Sequence, residues 1–207
     1  MNTPDPAAAK PSLKEQMLHA RREAIVTTAN RLLAEKGFEA MTVDEIAAAV
    51  GIAKANLFQL FPSKEDLATA AMVRVVRRAL EFLHQLPESA APLARLQAVA
   101  AWAMELQIAG EMPLVPSQSS PLRKTLLASV DYSAALKDVS DVLLGWIEAA
   151  QADGTLTRLL PAEVVLHTMY ARAADPVVDY LKAQGDYSGP EIIELVQSVS
   201  FDGLKAR

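Results

Sequence analysis

The chain has 207 residues, 51% of them apolar and 22% charged, with a net charge of −5 and no cysteine. That composition argues against global disorder, allows one large domain or two small ones, and excludes disulfides and thiolate metal sites. No apolar run reaches the roughly 18 residues of a membrane span, and the N-terminus lacks the apolar core of a secretory signal, so a cytoplasmic protein is expected.

Charge is unevenly spread. Residues 1–70 carry a net −1 and residues 71–207 a net −4, while 10–64 carry +2. Any surface for an anionic partner therefore lies in the first third, with few phosphate contacts and a moderate salt dependence.

Residues 1–18 are expected to form a flexible arm, because Pro4, Pro6 and Pro11 surround a run of alanines. Lys10, Lys14, Arg21 and Arg22 are cations that can reach a phosphate or a minor groove. A solvated tail is the competing reading. A first helix is expected from about Leu13 to Lys36. Ile25, Ala29, Leu32 and Leu33 give it a buried face, and Gly37 ends it. Phe38 then packs back under the short helices after it.

The stretch Thr42 to Leu67, TVDEIAAAVGIAKANLFQLFPSKEDL, is the most informative. Thr42 and Glu45 have capping-box spacing. Val43, Ile46, Ala47 and Val50 form one apolar stripe. Gly51 suits the left-handed backbone of a helix C-cap. Leu57, Leu60 and Phe61 give a second short helix its apolar side, Pro62 stops it, and Ser63 can cap the next. The small Ala47 lets two helix backbones approach closely. Two short helices with a glycine turn fit a helix-turn-helix, whose second helix enters the DNA major groove. They also fit an ordinary helical hairpin. What the hairpin does not explain is Lys54, Asn56 and Gln59 on the face away from Leu57. Lysine can pair with phosphate or guanine, and Asn or Gln can bond an adenine edge twice.

Residues Arg22 to Leu67 resemble the DNA-binding domain of the tetracycline-repressor (TetR) family of bacterial transcription regulators. The lead-in helix REAIVTTANRLLAEKGFEAMT and the closing FPSKEDL carry the resemblance together with the motif. The resemblance implies phosphate contacts at Thr42 and Lys64. It implies a recognition helix of Lys54, Ala55, Asn56, Leu57, Phe58 and Gln59. The chain departs from the family pattern in places. Ala53 replaces a capping Ser or Thr, Ala55 a common Gly, and Leu60 a frequent Tyr or His. Phe58 replaces a Tyr whose hydroxyl normally reaches a phosphate.

A fourth helix is expected from Lys64 to Leu86, shared between head and body. Its Arg74, Arg77 and Arg78 read as a solvated face. A fifth, from Pro92 to Ala109, is apolar nearly all round and belongs inside a bundle. Residues 110–121 read as a loop or broken helix that can border a pocket entrance. Helices at 122–130 and 133–152 come next. One from Pro161 to Gln184 is expected to kink or break at Pro176. The last runs from Gly189-Pro190 to about 204.

The expected fold is therefore all-α: an N-terminal three-helix helix-turn-helix domain plus a C-terminal helical ligand-binding and dimerisation bundle. The expected division is 1–18 arm, 19–66 head (motif about 43–62) and 67–207 body. The resemblance implies a palindromic double-stranded DNA operator, a homodimer through the last two helices, and a small-molecule effector of unknown identity. Trp102, Glu105, Gln107, Met112, Trp146, His167, Met169, Tyr170 and Arg172 are pocket candidates, being large or polar within apolar helices. Plain packing or exposure is the alternative for each, and Arg172 can instead pair with Asp175.

No cofactor or metal site is expected, and no enzyme. His19, His84 and His167 share no metal spacing, and there is no phosphate-binding glycine loop or nucleophile signature. The expected function is a sequence-specific regulator, a repressor released from its operator by the effector. The alternative is a helical adaptor of the same fold with weakened DNA binding, which Ala53, Ala55 and Phe58 keep open.

Overall fold

The computed structural model describes residues 12–114, 116–173 and 175–202. Lys10 and the prolines of the arm lie outside the described residues. The helices are α1 (Leu13–Ala40), α2 (Val43–Val50), α3 (Lys54–Leu60), α4 (Lys64–Gln85) and α5 (Pro92–Ile108). They continue as α6 (Pro121–Ala128), α7 (Val130–Ala152), α8 (Ala162–Arg172), α9 (Val177–Gln184) and α10 (Gly189–Asp202). Among the described residues no helix is long and apolar enough to cross a membrane.

The helix ends obey local chemistry. Ser12 and Glu15 close a capping box on α1, so helix begins well inside the expected arm of 1–18. Gly37 breaks α1 at φ 77°, and a last turn carrying Phe38 leads to Met41. Ser63 accepts the Asp66 amide at 3.0 Å to start α4. Helix α7 begins at Val130 rather than Ser133, because the Ser129 hydroxyl accepts the Tyr132 amide at 3.2 Å. The helix expected over 161–184 is two helices. Pro176 cannot donate within a helix, and Asp175 Oδ1 instead accepts the Val177 amide at 3.0 Å to start α9.

The head core joins Ile25, Ala29, Leu33, Phe38, Met41, Ile46, Ala47, Leu57, Phe61 and Leu67, all buried. It does not close at residue 66. Leu122 and Leu126 of α6 belong to the same cluster, and Tyr132 packs against it. The body has a larger core between α4, α5, α7 and α8, around Leu83, Leu96, Leu143, Ile147 and Leu166. A smaller one, around Met104, Val178, Ile192 and Val196, ties α9 and α10 to α5.

The loop after α5 is held to the head. Asn30 Nδ2 donates to the Glu111 carbonyl at 2.9 Å, and the Leu114 amide to the Leu33 carbonyl at 3.4 Å. The arginines of α4 are also more than a solvated face. Arg74 pairs with Glu23 at 3.1 Å and reaches Thr27, and Arg78 pairs with Glu111 at 2.8 Å. Arg77 alone of these is exposed. Sequence periodicity missed these contacts because the partners lie on other elements.

Candidate nucleic-acid interface

The surface is built on α2, the turn after it, and α3. Thr42 starts α2. Its hydroxyl accepts the Glu45 amide at 3.3 Å and donates to Glu45 Oε2 at 2.7 Å. The Lys36 ammonium, the Thr42 hydroxyl and the Thr42 amide hold the Glu45 carboxyl down to about 2. The folded value lies below the unfolded one, so this contribution is present above the ordinary carboxylate range and fades only as pH falls toward 2. The entry to α2 is therefore constant near neutrality.

Gly51 takes the left-handed conformation at φ 73°, and the Ile52 amide returns to the Ala47 carbonyl at 3.0 Å. This is a Schellman-type closure, and it turns the chain sharply into α3. A side chain with a Cβ at residue 51 would be strained at that φ.

Helix α3 is anchored chiefly by Leu57, with Leu60 packed partly buried against the same core. Leu57 is 0% exposed, and burying a leucine contributes about 1.5–3 kcal/mol. Lys54, Ala55, Asn56, Phe58 and Gln59 are all exposed around it. The sequence-based grouping of Leu57 with these residues needs correction. Leu57 faces the head core, and its part is to seat the helix. Phe58 projects as expected, 39% exposed and with no hydroxyl to offer. Ala53 supplies no side-chain cap to α3.

Two cations of the surface are engaged within the head. Lys54 Nζ pairs with Asp44 Oδ2 at 2.9 Å, both largely exposed. Lys64 Nζ lies 4.3 Å from the Phe38 ring centre and 3.4 Å from the Glu39 carbonyl. The Asp44 partnership spans two helices, and no local spacing signals it. It competes with any anion for Lys54. Asp44→Asn should tighten DNA binding about twofold to fivefold, because an exposed pair is worth about 0.4–1 kcal/mol. Fluorescence anisotropy with a labelled duplex measures this, and an unchanged or weaker Kd would show that Asp44 does not compete.

The pocket candidates do not converge. Glu105, His167 and Arg172 are exposed. Arg172 pairs with Asp175, the alternative that its spacing allowed. His167 and Arg172 border a shallow groove on α8 with Val164, Thr168, Ala171 and Asp175. Trp102 stacks on Phe82 at 5.3 Å, and Arg95 lies 5.2 Å from the Trp146 ring. Tyr170 shares a 2.8 Å hydrogen bond with Ser140, and Gln107 reaches the Asp175 carbonyl at 3.4 Å. The Met112 amide donates to the Leu106 carbonyl at 3.2 Å, so Met112 sits in the turn leaving α5. Met169 packs partly buried against the larger body core. Trp102, Trp146, Met169 and Tyr170 thus serve packing, while Glu105, His167 and Arg172 lie exposed. Among the described residues no group of three or more His, Cys, Asp or Glu side chains is arranged to hold a metal.

A short helix offered outward by a single buried leucine, behind a left-handed glycine turn, is a helix-turn-helix DNA-binding head on an all-helical body. Residues 25–71 match the family model for bacterial regulatory proteins of the tetR family. The chain is 23% identical over 208 residues to the transcriptional regulator RutR of Escherichia coli K12, covering 94% of this chain and 95% of that one. Its fold is similar to that of the fatty acid degradation regulator FadR from Bacillus halodurans. The TM-score is 0.68 at 18% identity, over 90% of this chain and 97% of the other. It is also similar to FadR from Bacillus subtilis in complex with stearoyl-CoA, at TM-score 0.67 and 18% identity, over 88% and 98% of the two chains. The chain carries a TetR-family helix-turn-helix DNA-binding domain and is a transcriptional regulator.

Proposed function

We propose that the chain is a dimeric repressor that reads a palindromic operator with α3 and leaves it when a small molecule binds the body. The observation that carries this is the ring of exposed side chains on α3 around the buried Leu57. Asn56 and Gln59 lie three residues apart, one turn of helix, so they face the same groove. They have the bidentate chemistry for an adenine edge. Thr42 and Lys64, at the starts of α2 and α4, serve as phosphate contacts. A phosphate at Thr42 would take the place of Glu45 Oε2 as acceptor for the hydroxyl. Such a regulator works in the cytoplasm, where its DNA is.

Dimerisation through the last helices is supported by the apolar residues they leave exposed, among them Val164, Tyr180, Leu195 and Val199. A dimer sets two α3 helices about 34 Å apart, one turn of DNA. Bacillus subtilis FadR, whose body shares this fold, was solved in complex with stearoyl-CoA; this supports a small-molecule effector here. The route from body to head is physical. Helix α4 runs through both, and α6 with the preceding loop is packed into the head. An effector that parts α5 from α7 would move α6 and α4, and with them the α3 spacing. It releases DNA only if it prefers that moved state.

A gel-shift with the DNA flanking its own gene should show sequence-specific binding. Sequence-blind, salt-sensitive association alone would favour the adaptor reading. Asn56→Ala should cost about 1–3 kcal/mol of discrimination at one base position. Lys64→Ala should instead weaken binding evenly across sequences and lower the salt slope by about one per subunit, about two for the dimer. Identical effects from the two would remove the assigned roles.

A further inference from the structure

Helix α3 is the part of the head that its own sequence holds least. It has seven residues, no side-chain cap at Ala53 and no basic residue in its last turn. It ends on an extended Phe61 rather than a left-handed glycine, so no Schellman closure serves its last carbonyls. The buried Leu57 and the half-buried Leu60 seat it. Apolar contact is non-directional, so it fixes the depth of a helix better than its tilt.

What α3 lacks locally is supplied from α1. Arg22 Nη1 donates to the Leu60 carbonyl at 3.3 Å, and the guanidinium lies 4.4 Å from the ring centre of Phe61, itself buried. Leu60 is the last residue of α3, so its carbonyl has no partner inside the helix. A cation there satisfies that carbonyl and faces the negative end of the helix. Both contacts are directional, a hydrogen bond and a cation over a ring face. The base of Arg22 is also fixed. Its neighbour Glu23 pairs with Arg74 of α4 at 3.1 Å, and Arg74 donates to the Glu23 carbonyl at 3.4 Å. Ile25 and Val26 follow in the head core. Arg22 thus ties the end of α3 to a corner where α1 and α4 are already joined.

We propose that Arg22 is a positioning residue for base reading: it sets the tilt of α3, and through it the aim of Asn56 and Gln59, while its own guanidinium stays on Leu60 and Phe61. The proposal rests on α3 being the helix that reads DNA. Paired hydrogen bonds to a base edge weaken steeply with angle. A small change of tilt therefore costs base discrimination before it costs general affinity. Phosphate contacts at Thr42 and Lys64 are set by other helices and would persist.

The test uses the full chain with Arg22→Gln, at an exposed position, and with Arg22→Lys. Anisotropy against a panel of operator variants should show Arg22→Gln losing about threefold to tenfold in discrimination at the bases under Asn56 and Gln59, as expected for one directional contact of this kind. The salt slope should not change, because no phosphate contact is lost. In a double-mutant cycle, Arg22→Gln should cost little further discrimination at the Asn56 base once Asn56→Ala is present, since the two act through one contact. Arg22→Lys keeps a cation at the Leu60 carbonyl and should restore most of the loss. Even weakening across all sequences with a lowered slope would make Arg22 a phosphate contact and overturn the proposal. A lowered Tm with unchanged discrimination would leave it a stability residue only, and would overturn the proposal equally. Hydrogen exchange of the free protein reads the hold without DNA: amides at the end of α3 should exchange faster in Arg22→Gln, and those of α2 should not. Equal protection of α3 in the two proteins would count against the proposal. Absence of sequence-specific binding by the parent protein would instead sink the α3 reading, and the exchange result would still decide whether Arg22 holds the helix.

Discussion

Leu122→Ala is expected to destabilise the DNA-binding head, although Leu122 belongs to α6 in the body sequence. Leu122 is 0% exposed and sits in one cluster with Leu33, Phe38, Leu67 and Ala71. Emptying a site of that kind costs about 2–5 kcal/mol, from lost burial and from the cavity left behind. For a protein of this size that lowers Tm by several degrees or more. The revealing readout is cooperativity. If α6 is part of the head, the variant loses operator affinity and stability together, in a single unfolding transition. A variant with weakened body signals but unchanged DNA affinity would show that α6 merely rests on the head. The outcome bears on regulation, because body residues built into the head give an event in the body a second route to it beside α4.

Leu195→Glu with Val199→Glu is expected to abolish the dimer and, with it, tight operator binding. The two lie one turn apart on α10 and remain exposed beside the stripe of Ile192 and Val196, which are buried. Val199 is 76% exposed, so the substitutions leave the fold of one chain intact and change only what its surface can join. Two carboxylates per chain, facing their copies across an apolar interface, would be desolvated and mutually repelled. Light scattering should report the single-chain mass. Binding to a palindrome should fall at least about 10³-fold, toward the level of non-specific association. A dimer that survives both substitutions would place the interface elsewhere. A monomer that still binds the palindrome tightly would remove the two-helix reading mechanism.

Much of the head is legible in the sequence, and particular residues say why. Thr42, Gly51, Pro62 and Ser63 act through their own backbone or that of residues a turn away, so their meaning does not depend on distant chain. The capping box at Thr42 and Glu45, the left-handed turn at Gly51 and the cap at Ser63 are all present as read. Apolar spacing likewise marks Ile46 and Leu57 as inward, although grouping Leu57 with the recognition residues obscured that it seats the helix. The body is less legible. Helix α5 is apolar nearly all round, so its pattern does not tell which side faces α7 and which faces α10. Glu105 and His167 look conspicuous in the sequence and are exposed; Gln107 and Tyr170 are bonded to carbonyl and hydroxyl partners far along the chain.

Sequence by itself determined the all-helical class, the boundaries of most helices, and the helix-turn-helix with its outward Lys54, Asn56 and Gln59. These arise from interactions within a few residues, where covalent connection already supplies proximity. Only the tertiary structure decided that α6 completes the head core, that Asp44 holds Lys54, that α4 arginines clasp α1 and the loop after α5, and that α1 stays exposed up to Ala24. Each depends on which distant segments meet, and that is set by the packing of the whole chain, not by any local pattern.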